Sequence, residues 1–143
     1  MGIIMEDILI VVDYLRKQLG ITAEYHCAGY PQTEQEFLSN VNWISGVDEE
    51  NICLFSDEKL ITWEQIQQHK DVAYSSFALD LLRVERNKLL TQTDWWAVPD
   101  RTMSPEQIAY RQALRDLPNN STPRLTTNNQ LDKSSVTWPT KPE

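Results

Sequence analysis

Apolar positions along the chain fall into blocks with different periods. Over residues 5–19, Ile8, Leu9, Val12, Leu15 and Leu19 recur at the spacing of one buried helical stripe. Glu6 and Asp7 lie where a helix N-terminus favours negative charge, and Arg16 and Lys17 where the C-terminus favours positive charge. Gly20 supplies a left-handed stop, so the pattern predicts a helix that Met5 opens more naturally than Met1 does. Ile21 to Cys27 alternates as a short strand, ended by Gly29-Tyr30-Pro31. Thr33 with Glu36 reads as a capping box opening a short helix through Leu38. Residues 41–44 and 52–55 read as strands flanking the acidic turn Asp48-Glu49-Glu50-Asn51, giving a small sheet packed on the first helix.

The second half reads as helical. Thr62 with Gln65 caps a helix starting at Trp63, which either breaks near His69 or merges into a longer one over 71–92. In that longer helix Val72, Leu79, Leu82, Arg86 and Leu89 form the stripe. Ser104, Pro105 and Gln107 punctuate the start of another helix, and Pro118 ends it. A face of Ile108, Ala109, Ala113, Leu114 and Leu117 is expected to lie against the 71–92 helix as an antiparallel hairpin. Residues 119–137 are polar and poor in apolar side chains, which predicts mobility for that stretch alone. The fold class expected is α+β: an N-terminal helix with a small antiparallel sheet (1–70), a helical hairpin (71–118) and an extended Trp-Pro tail (119–143).

Charge and rare residues narrow the function. Residues 1–70 carry 12 acidic and 4 basic side chains, whereas 71–143 carry nine of each. Phosphate binding needs clustered Lys and Arg, so nucleic acid is not an expected partner. The run Ile8–Val12 is far shorter than the roughly 20 apolar residues that span a bilayer, so no membrane role is expected either. Cys27 and Cys53 read as reduced, buried thiols, and with His26 they are too few for a zinc site. No Ser/His/Asp order, HExxH, Walker loop or GxSxG occurs, which argues against an enzyme and gives no reason for a cofactor. A small hydrolase built on a carboxylate pair has no pair at a diagnostic spacing to support it.

Three features suit protein recognition. In Asp94-Trp95-Trp96 the two indoles cannot both point inward. One reading has Trp95 plugging the helical hairpin and Trp96 half-covering its open end; the other makes one indole an anchor for a second chain. Arg83, Arg86, Arg111 and Arg115, with Asp94, Asp100 and Asp116, can form Arg–carboxylate pairs that fix the hairpin register. Trp138, followed by Pro139 and Pro142, either folds back onto the hairpin or docks into a partner, and in the docking case Trp138→Ala would weaken binding without unfolding the chain.

The residues Arg86, Leu89, Leu90, Thr93, Asp94 and Trp95, then Pro99-Asp100, Tyr110 to Pro118, and Trp138-Pro139 occur in an order that resembles the tail assembly chaperone, or tail fibre assembly, proteins of tailed bacteriophages. The likeness covers residues 83–142, about two fifths of the chain. Two departures are Trp96, where a polar residue is commoner, and a longer segment between Pro118 and Trp138. The resemblance implies a non-enzymatic, cofactor-free protein that binds the phage tail fibre protein, a trimer, in the host cytoplasm. The alternative it leaves is a permanent component of the tail or baseplate, retained in the virion and touching other tail proteins. The contact set expected is Trp95, Trp96, Tyr110, Arg111, Arg115 and Trp138.

Overall fold

A computed structural model describes residues 6–143. Met5, the expected first residue of the first helix, lies outside the described residues. The fold is α+β, with four α-helices, a three-stranded antiparallel sheet and a further two-stranded one among the described residues. These divide into two compact units, the first ending at Tyr74 and the second running from Ser75 to Glu143.

In the first unit, α1 spans Leu9–Leu19 and begins later than the charge pattern predicts. Asp7 is not in its first turn; its Oδ1 accepts from the Leu9 N–H at 3.0 Å and so acts as the cap. Gly20 closes the helix at φ 67°, its N–H returning to the Arg16 carbonyl. Ile8, Val11, Val12 and Leu15 are buried, whereas Leu19, the last residue of the helix, is exposed.

The strands β1 (Tyr25–Cys27), β2 (Val41–Val47) and β3 (Cys53–Phe55) form the antiparallel sheet in that order. Between the first two lies α2 (Glu34–Asn40), capped by Thr33. Its box is not reciprocal as expected: the Glu36 carboxylate accepts from the Gln32 N–H instead, at 2.7 Å. Val41 and Trp43 turn one face of β2 into the core with Phe37, Ile61, Ile66 and Ala73. Trp43 meets Tyr25 edge-on at 5.4 Å. Arg16 ties the strand entry to α1 through two bonds to the Ala23 carbonyl. The thiols are not buried as expected: Cys53 is exposed on the outer strand and Cys27 is half-buried. Burial still raises the Cys27 thiol pKa, with the nearby Asp7 charge adding to it.

One uninterrupted helix, α3 (Trp63–Gln92), replaces the possible break near His69, because Thr62 and Gln65 complete the box at its start and no Gly or Pro follows. Val72, placed in the buried stripe by its spacing, is exposed.

In the second unit, α4 (Pro105–Asp116) opens with the full Ser104–Gln107 capping box. Its inward face is Tyr110, Arg111, Leu114 and Leu117; Ile108, Ala109 and Ala113 face outward, against expectation. The polar segment after Pro118 is structured. The short strands β4 (Arg124–Leu125) and β5 (Leu131–Asp132) pair around a turn in which Thr126 Oγ1 accepts from the Asn128 and Gln130 N–H groups. Asn129 supplies the left-handed residue there, at φ 56°. Val136 and Trp138 then pack on Leu82 and Leu117, so the tail tryptophan takes the fold-back position.

Candidate functional site

The site grows from the C-terminal end of α3, where helical carbonyls run out of N–H partners. Thr93 lies fully buried just past that end, its hydroxyl 3.1 Å from the Leu90 carbonyl. Arg111 reaches across from α4 and completes the cap. One guanidinium nitrogen, Nη1, donates to the Leu90 carbonyl at 3.0 Å and to Thr93 Oγ1 at 2.7 Å. The other, Nη2, donates to Asp94 Oδ1 at 3.0 Å. A buried cation thus faces the negative end of the α3 dipole. The Arg111 Nε is buried without a partner.

With its flanks so fixed, Asp94–Ala97 winds a single 3₁₀ turn, in which the Trp96 N–H bonds to the Thr93 carbonyl at 3.0 Å. This turn aims the two indoles apart, and in the reverse of the expected sense. Trp96 is buried at 3% exposure and packs on Tyr110, ring centroids 6.1 Å apart. Trp95 is 53% exposed. The physical reason is the position of Tyr110, which with Leu114 receives Trp96 in a small core joined by Leu89, Leu90 and Met103. Burial also pushes the Tyr110 hydroxyl pKa upward.

Trp95 is exposed but not loose. Its Nε1 donates to the Gln92 carbonyl at 3.1 Å, and the Arg101 guanidinium stacks 4.2 Å from its ring centroid. The indole is therefore presented with its rotamer held by a hydrogen bond and a cation. Arg101 is absent from the sequence-derived set, as is Thr93 in its buried role. The Thr93-Asp94-Trp95 run was the available signal for the second; nothing local announced the first.

The remaining expected residues fall elsewhere in the unit. Arg115 is exposed on α4 and has no ion pair among the described residues. Trp138 is half-buried, its Nε1 donating to the Lys133 carbonyl at 3.1 Å. It borders a cleft of about 510 Å³ lined by Ala113, Asp116, Leu117, Asn120 and Thr137 among others. Four of the six thus gather at the turn, with Arg115 and Trp138 outside it.

Of the expected Arg–carboxylate pairs between helices, one forms, Arg111 with Asp94, and its second nitrogen serves the α3 end rather than the same carboxylate. Arg83 pairs with Asp80 on its own helix at 2.9 Å, and Arg86 bonds to Asn87. A partner three residues along the same helix is closer than one on a facing helix. Asp116 accepts from Gln112.

Arg111 is engaged with the Leu90 carbonyl, Thr93 and Asp94, and Arg101 lies over Trp95; no group of three or more metal-ligating side chains occurs among the described residues. No described helix is long and apolar enough to cross a membrane.

Residues 79–143 match the family model described as phage tail assembly chaperone protein. The match starts within α3 and covers the second unit but for its first four residues. No curated protein and no solved structure matches the chain. The Arg111-capped turn, its Trp95 and the fold-back Trp138 all lie within the stretch that matches this model.

Proposed function

We propose that the protein is a tail fibre assembly chaperone, or a fibre-associated accessory subunit, that holds the phage tail fibre protein non-covalently through its C-terminal unit. The observation that carries this reading is Trp95: half exposed, yet fixed by Gln92 and Arg101 above a turn locked by Arg111. A pre-ordered aromatic loses little entropy on docking, and Trp and Arg dominate protein contacts. Within the contact set, Trp95 and Arg115 offer surface directly and Trp138 borders the cleft. Trp96, Tyr110 and Arg111 contribute by holding the turn.

Long trimeric fibre chains pair non-locally and slowly, and their unpaired edges aggregate before assembly. A partner that covers such surface until the strands are paired needs affinity and no chemistry. The place of action is the host cytoplasm during assembly.

Quantitative mass spectrometry of purified virions, with the fibre subunit as internal standard, tests the role. Absence from particles with abundance in the infected-cell lysate supports a transient chaperone. Stoichiometric presence makes it a subunit that stays on the tail. Failure to co-purify with the fibre protein from either source overturns the proposal. Trp95→Ala should weaken fibre binding by more than about 1 kcal/mol while leaving thermal unfolding unchanged; unaltered affinity would remove Trp95 from the interface.

A further inference from the structure

The first unit carries an interaction surface of its own, at the open edge of β3. This strand is one of the two outer strands of the sheet, and Cys53, Leu54 and Phe55 are all exposed. Beside it Val47 is 58% and Ile52 56% exposed, so the edge and the adjoining hairpin are apolar in water. The bonds toward β2 use alternate residues: the Ile52 carbonyl accepts from Asp48 N–H, the Leu54 carbonyl from the Ser45 hydroxyl, and the Ser56 N–H donates to the Trp43 carbonyl. By the two-residue alternation of a strand, the N–H and C=O groups of Cys53 and Phe55 point to the open side. Sheets usually blunt such an edge with an inward charge, a lysine or a proline. None lies within residues 52–55.

Instead the charges stand at the two ends. Asp48, Glu49 and Glu50 precede the strand, and Asp57 and Glu58 follow it. Lys59 is the one base between positions 48 and 59, and its ammonium is engaged with the Val41 carbonyl at 3.2 Å. A second copy of the chain paired antiparallel across this edge would set 48–50 against 57–58; paired in parallel it would set each acidic flank against itself. Both arrangements juxtapose like charges, which destabilises strand pairing. The acidic flanks bar self-association and select an oppositely charged strand.

We propose that the β3 edge binds an extended segment of another protein by strand addition, the segment having apolar alternate residues and Lys or Arg at both ends. Main-chain bonds to Cys53 and Phe55 supply the pairing, and the flanking carboxylates set register and specificity. This surface is independent of the C-terminal reading.

The test uses the full chain and two blocked octapeptides, Lys-Lys-Val-Thr-Val-Thr-Lys-Lys and the same sequence with Glu in place of Lys. Titration followed by backbone amide NMR should show shifts confined to residues 47–58, with the Lys-flanked peptide binding at least tenfold tighter and losing affinity with salt. Cys53→Pro removes an outward N–H without touching the β2 bonds and should weaken binding at least tenfold. The double change Glu49→Lys and Glu58→Lys leaves the backbone untouched, so it serves even if the proline variant misfolds; it takes the five flanking charges from −5 to −1 and should abolish most of the preference between the peptides. Equal binding of both peptides, no shifts at millimolar peptide, or sedimentation showing a dimer joined through this edge would overturn the proposal.

Discussion

Arg111 shows how one side chain can organise a turn. It is 7% exposed, and a buried guanidinium is unfavourable unless its donors are met. Here two of its nitrogens satisfy the end of α3, a threonine hydroxyl and a carboxylate. Arg111→Ala should therefore cost about 2–4 kcal/mol, since the Leu90 carbonyl and Thr93 hydroxyl lose a charged partner inside the unit. Arg111→Lys keeps the charge but not the fork, and should cost about 1–2 kcal/mol. Urea denaturation followed by tryptophan fluorescence, at unchanged m-value, measures both. Tyr74 carries a prediction for pH. Burial first, then the charges of Glu6 and Asp7, push its hydroxyl from an ordinary 10.0 up to about 12, and its O–H donates to the Asp7 carbonyl. The folded state therefore holds this proton more firmly than the unfolded one. The stabilisation is complete below the unfolded value near pH 10 and is lost as pH rises through about 12. Burial and Asp13 raise Tyr25 in the same direction. Alkaline titration watched by tyrosinate absorbance and circular dichroism should show the first unit weakening above pH 10, and Tyr74→Phe should reduce that slope.

At the scale of elements, the capping devices carry the clearest information. The Ser104–Gln107 box of α4 is reciprocal, and Ser104→Ala should lower stability by about 1 kcal/mol in thermal unfolding. Such caps were legible in the sequence because each depends on four contiguous residues, as at Thr62 and Ser104, and Gly20 marked its stop by the same local logic. What could not be read was set by tertiary contact. The α4 face looked like Ile108, Ala109 and Ala113 because an arginine is normally assigned to the outside; only the end of α3 explains why Arg111 turns in. Which of Trp95 and Trp96 goes inward was equally closed to sequence reasoning, since a 3₁₀ turn moves successive residues by a third of a revolution and Tyr110 decides between them. The segment 119–137 looked mobile by composition, yet its order comes from side chains bonding backbone. Ser135 Oγ accepts from the Arg124 N–H, and Asp132 Oδ1 from the Ser134 N–H. The Asp132 carboxyl pKa is correspondingly lowered by the Ser134 bonds. Arg101 over Trp95 left no trace in any local pattern.

For the whole molecule, charge governs behaviour in solution. A net −8 with a sequence pI near 4.7 predicts that light scattering will detect most self-association close to pH 4.7 and least near neutrality. Each unit owns its core: residues 8–73 furnish the first, and residues 79–138 furnish the two clusters of the second. The cluster around Leu82 is finished by Leu117, Val136 and Trp138, side chains drawn from widely separated stretches of the sequence. On a ribosome adding roughly 5–20 residues per second, several seconds pass between the appearance of Leu82 and that of Val136. Throughout that interval the nascent second unit holds a greasy seam that no later residue has yet sealed. A message cut short after Pro118 would release a protein with both helices written and that seam permanently open, a ready substrate for proteases.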